Sequence, residues 1–179
     1  MRALVVCALA ITMLFSGINA SRNDVARGAE SAIINNMNCA VQDYVIKKNA
    51  FFAGEPFVVI KTLDELEAYV QKILDGFKND TAITPDGYWE ALEKQVRESY
   101  ARYDQEFFKK NILVIALVDQ GSGNVSYNLE NIQNEDGKLT INVKRDAPMI
   151  QTMDFVSWVM FLELSNTCEI SSVTVNIVK

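Results

Sequence analysis

Two apolar runs, Ile112 to Val118 and Phe155 to Leu162, constrain this chain most, because both are apolar at odd and even positions alike. Side chains of a strand alternate between its two faces, so runs of this kind are expected of central strands covered on both sides. Their length is that of strands and well short of the roughly 20 apolar residues of a membrane-spanning helix.

What surrounds the runs supplies the covering layers. Thr62-Leu-Asp-Glu65 is a capping box, with a threonine hydroxyl to accept from the third helical N–H and Glu65 to reach back to the cap. After it, Leu63, Leu66, Tyr69, Val70, Ile73, Leu74 and Phe77 recur at steps of three and four and make one apolar helix face. Thr84-Pro85 reads as a second helix start, followed by Tyr88, Trp89, Leu92, Val96 and Tyr100 at helical spacing. Strands are expected at Val41 to Ile46 and Pro56 to Ile60. In the second half, Val125, Tyr127 and Leu129 alternate with polar residues, as do Leu139, Ile141 and Val143, and later Val173, Val175 and Ile177. Asp136-Gly137 is a strong two-residue hairpin cue. Strands, then helices, then strands predict an α+β fold, with a mainly antiparallel sheet of about six or seven strands packed against two amphipathic helices.

The N-terminus sets an expected compartment. Met1-Arg2, the uncharged run Ala3 to Phe15 and the small residues up to Ala20 have the form of a secretory signal peptide. The predicted organisation is a signal peptide at 1–20, a flexible tether at 21–36, with a short helix as an option at Ala29 to Ile34, and a single α+β domain at 37–179. Losing Arg2 takes the formal charge from −6 to −7. That sign argues against nucleic acid as a partner, and no membrane insertion is expected after signal removal. Cys7 leaves with the signal, so Cys39 and Cys168 remain in an oxidising space. Paired, they would tie the start of the domain to its last strand; unpaired, they would be two buried thiols.

Composition removes several chemistries. The chain has no histidine, which excludes a Ser-His-Asp triad, a Cys-His pair and any histidine-ligated metal. No S-x-x-K or G-x-S-x-G surrounds a serine. Around Gly137, an EF-hand frame would put Ile132 and Val143 at ligand positions, so calcium is excluded there. Gly121 and Gly123 suggest a phosphate loop, but Ser126 stands where a third glycine belongs and a period-two strand follows instead of a helix. The segment Asp119 to Asn124 is therefore read as the bend of a β-hairpin, its glycines reversing the chain. No cofactor and no metal are expected. Paired carboxylates are the remaining enzymatic route, as in a glycoside hydrolase, with Asp104 and Glu106 or Asp154 and Glu163 as the pairs to weigh. Against that, Asp104 suits a helix cap, and Asp154 and Glu163 suit the wet ends of a buried strand.

A binding surface is the other route. Met149, Ile150 and Met153, in the loop Asp146 to Met153, offer adaptable apolar contact area, and Gly121, Ser122 and Gly123 are expected beside them on the rim of the sheet. Asn79-Asp-Thr81 and Asn124-Val-Ser126 fit the N-glycosylation acceptor pattern.

The segments YDQEFFKKNILVIAL (Tyr103 to Leu117), GSGNVSYNL, GKLTINVKR and TMDFVSWVMFLEL together resemble the C-terminal region of small secreted or lipid-anchored bacterial proteins related to the PrcB protease-complex subunit. The resemblance spans residues 60–165 and is one of core and turns. Two departures stand out: Gly121 to Tyr127 replaces that family's Pro-Thr-Gly-Gly-Tyr hairpin, and no lipobox cysteine stands at the cleavage point. It implies a non-enzymatic secreted protein, some relatives of which stabilise an extracellular protease. The sequence thus leads to a secreted binding protein whose partner is another secreted or surface protein. A carboxylate-dependent secreted hydrolase is the alternative, and a self-associating envelope component a third.

Overall fold

A computed structural model describes residues 25–27, 33–35, 40–80, 88–150, 152 and 156–178, with backbone alone at 25–27, 33–35 and 79–80. The fold is α+β, mainly antiparallel, with two long helices on one face. Its strands are β1 (Val25–Arg27), β2 (Ile33–Asn35), β3 (Val41–Lys48), β4 (Phe57–Ile60), β5 (Asn111–Gly121), β6 (Ser126–Glu135), β7 (Lys138–Asp146), β8 (Val156–Ser165) and β9 (Ser172–Val178). The helices are α1 (Leu63–Asp80), α2 (Tyr88–Tyr100) and the single turn α3 (Gln105–Phe108).

The strands divide between two hydrogen-bonded sheets. One runs β1-β3-β8-β5-β4 and is antiparallel throughout; the other runs β2-β6-β7-β9, with β2–β6 and β7–β9 parallel. The five-stranded sheet is the middle of three layers, and that position explains the two apolar runs. On β8, Trp158, Met160, Leu162 and Leu164 face the second sheet, while Val159 and Phe161 face the helices. On β5, Ile112, Val114 and Val118 point one way, and Leu113 and Ile115 the other. Phe161 is nearly fully buried and lies between Tyr100 and Tyr103, at ring distances of 5.8 and 6.5 Å. A side chain of that size contributes about 2–3 kcal/mol by leaving water.

Local signals match local structure. Glu65 N–H donates to Thr62 Oγ1 at 3.2 Å, while Glu65 Oε2 reaches one residue past the expected cap and accepts from Lys61 N–H at 2.6 Å. Leu66, Tyr69, Val70, Ile73 and Leu74 of α1 and Leu92, Val96 and Tyr100 of α2 are buried against the sheet. Thr84 and Pro85 lie outside the described residues. Asp136 and Gly137 alone join β6 to β7, both at positive φ (50° and 80°), as a type I′ turn requires. A side chain at 137 would also crowd Ser171 Oγ, at 3.1 Å from an added Cβ. A bulge between Leu129 and Asn131 changes the strand's parity, so Ile132 points inward although Leu129 already does.

Two expectations are corrected. The segment after β5 is not a hairpin bend: β5 belongs to the first sheet and β6 to the second, and they are not neighbours in either. β5 stays paired with β8 as far as Gly121↔Val156, and residues 122–125 then carry the chain across the core. Gly121 has no positive φ and an added Cβ there would meet only Asp119 Oδ2, at 3.7 Å, so it does not reverse the chain. Within the stretch expected to be a tether, Ile33 and Ile34, the last residues of the optional helix Ala29 to Ile34, belong instead to the strand β2; residues 29–32 lie outside the described residues.

Candidate functional site

The crossing segment and the loop after β7 meet at one end of the sandwich. Ser122 is buried; its hydroxyl donates to Asn124 Oδ1 at 2.5 Å and lies 2.9 Å from Thr152 Oγ1. Asn124 then ties the two segments together, donating from Nδ2 to Ile150 O at 3.0 Å and accepting from Thr152 N–H at 3.2 Å. Lys48 Nζ donates to Gly123 O at 2.9 Å, fixing the same turn to the end of β3. Below it Tyr127 packs against Trp158 with ring centroids 5.3 Å apart, and its hydroxyl donates to the Asp119 carboxylate. Burial, then that acceptor bond, pushes the Tyr127 phenol up to about 12.

On this pinned backbone Met149 and Ile150 stand in water, at 102% and 82% exposure. They are the most exposed large apolar side chains among the described residues. Of the residues singled out from the sequence, Ser122 is tied to Thr152, Gly123 accepts from Lys48, Gly121 pairs with Val156, and Ile150 is held through its carbonyl by Asn124; Met149 precedes it in the same loop and Met153 lies outside the described residues. Such a surface can bind by apolar contact.

The second constellation lies on the helix-facing side of the middle sheet. Asp43 of β3 stands directly opposite Glu163 of β8, and two acids so placed repel. Arg102, just beyond the end of α2, reaches over both: its Nη2 pairs with Glu163 Oε1 and lies 3.4 Å from Asp43 Oδ2. Glu163 is only 7% exposed. Burial raises its carboxyl above the ordinary range, and Arg102 opposes that rise. Arg102 also lies over the Tyr103 ring, 5.1 Å from its centroid. The Tyr103 hydroxyl is buried near Glu163 without a hydrogen bond of good geometry, and burial pushes its pKa far up.

Of the carboxylates read from the sequence, Asp104, Glu106 and Glu163 are each engaged elsewhere. Asp104 is a helix cap, accepting from Phe107 N–H at 2.9 Å, while neighbouring Glu106 pairs with Lys109. Asp154 lies outside the described residues. Glu163 is not at a wet strand end but under Arg102, and its opposite number is Asp43. The signal was present in the sequence: Glu163 shares the inward parity of Val159 and Phe161, and a charge there calls for a cation. With Arg102 bound to both, neither carboxylate is placed as a free general base beside a protonated acid. Among the described residues no three or more potential ligands gather to hold a metal. Cys168 is buried and disulfide-bonded; Cys39 lies outside the described residues.

The chain matches no family model, no curated protein and no solved structure.

Proposed function

We propose that this chain is a secreted, non-enzymatic interaction protein that holds another secreted or surface protein through the rim formed by residues 121–124, 147–150 and 152. One observation carries the reading: Met149 and Ile150 are almost wholly exposed on a loop that Asn124 fastens to the body of the fold. Apolar side chains on a fixed backbone lose little entropy on binding, which suits them to be the anchor of an interface. The signal-like N-terminus supports export, and a Cys39–Cys168 disulfide belongs to the same proposal. The likeness to PrcB-related proteins makes an extracellular protease the first partner to try.

The test is capture by tagged 21–179 from medium conditioned by the producing cells, run beside Met149→Ser/Ile150→Ser. A partner held by the parent chain and at least tenfold depleted on the variant supports the reading. Equal recovery on both, or turnover of a glycoside by the purified chain, overturns it.

A further inference from the structure

β9 is the outer strand of the four-stranded sheet, with β7 on one side and, among the described residues, no strand on the other. Its sequence SVTVNIV has no charge, no proline and no glycine, and its pairing with β7 runs without a bulge. Those are the devices by which edge strands refuse a neighbour, and β9 has none of them.

The side chains indicate which neighbour it takes. On the inner face Val173 and Val175 pack partly against the core, but Ile177 remains 39% exposed. On the outer face a chain of amides crosses the sheet. Asn176 Nδ2 donates to Asn142 Oδ1 at 3.0 Å, and Asn142 Nδ2 donates to Asn131 Oδ1 at 2.6 Å. These three asparagines are in register. Asn176 Oδ1 ends the chain at the open edge, where no described group donates to it, and two residues earlier Thr174 exposes its hydroxyl.

We infer that β9 pairs antiparallel with β9 of a second copy, about a two-fold axis at Val175. That register sets Thr174 of each copy opposite Asn176 of the other, so that each hydroxyl donates to the amide oxygen at which the chain stopped. It also sets Ile177 of each copy opposite Val173 of the other, covering the exposed end of the apolar row. The contact is isologous, and a single strand supplies both donor and acceptor at the spacing that a two-fold axis needs. Because β9 is uncharged, no like charges meet in the ladder even though the chain carries −6 overall.

Analytical ultracentrifugation of 21–179 across the micromolar range tests this inference, which does not rest on the rim reading. A dimer is expected. Thr174→Lys/Asn176→Lys alters two exposed positions and sets lysines opposite lysines twice, so dimerisation should weaken by about tenfold or more while the monomer keeps a cooperative melt, lowered only by loss of the exposed Asn176–Asn142 bond. Register is read by oxidation: Thr174→Cys mixed with Asn176→Cys should cross-link faster than either variant alone. A parent chain that stays monomeric, a dimer indifferent to the lysines, or Thr174→Cys joining itself as fast as the mixture overturns the inference. So does a monomer whose β9 amides gain exchange protection only from an added foreign peptide, which would give the edge to a partner's strand.

Discussion

Replacing Arg102 by methionine leaves Glu163 facing Asp43 with no cation between them. Removing one partner of a fully buried ion pair costs about 3–5 kcal/mol. Here the Arg102 and Asp43 side chains are 40% and 38% exposed, so water screens part of the loss. The expected cost is about 2–3 kcal/mol, of which the contact with the Tyr103 ring is a minor share. For a chain of this size that lowers Tm by about 5–10 °C. The pH dependence follows from Glu163, whose carboxyl burial holds above the ordinary range against the pull of Arg102. A carboxyl raised in the folded state binds its proton more tightly there than in the unfolded chain. Its favourable contribution is complete below the ordinary carboxyl value and is lost as pH rises through the folded one. Without Arg102 the folded value climbs further, so the deficit of Arg102→Met should be larger at neutral pH than in mild acid. Urea unfolding of parent and variant at the two pH values reads it directly. Adding Glu163→Gln should restore most of the loss, since an amide leaves no uncompensated charge. A single variant within about 0.5 kcal/mol of the parent at neutral pH, or a deficit equal at both pH values, would refute the assignment of Arg102 as the counter-ion.

Asn124→Ala should cost about 1–2 kcal/mol, because Ser122, Ile150 and Thr152 each lose a hydrogen-bond partner. Limited proteolysis should then cut within 147–152 faster than in the parent, and an unchanged cutting rate would mean that Asn124 does not fasten the loop. Non-reducing peptide mapping should recover Cys168, which is disulfide-bonded, joined to Cys39. Reduction should then lower stability by about 4–5 kcal/mol if loop entropy governs, whereas a free thiol at Cys39 would contradict the pairing.

Periodicity and turn chemistry act over a few residues, and what depends on them is readable in the chain. The inward faces of α1 and α2, the Asp136-Gly137 turn and the two-sided burial of β5 and β8 are of this kind, because each residue's environment follows from its near neighbours. Pairing between distant segments is not local. Nothing in GSGNV distinguishes a hairpin bend from a passage between sheets, since both place glycine and serine between two strands; only β8 and β4 on either side of β5 leave no place there for β6. The acid cluster shows the same division. Glu163 announces a buried charge by its parity, but Asp43, Arg102 and Tyr103 stand 120, 61 and 60 positions away by subtraction of their numbers, and the β3–β8 register together with the end of α2 selects them. Burial pattern is a property of a short stretch of chain, whereas the partner that satisfies a buried or exposed group depends on which surfaces folding brings into contact.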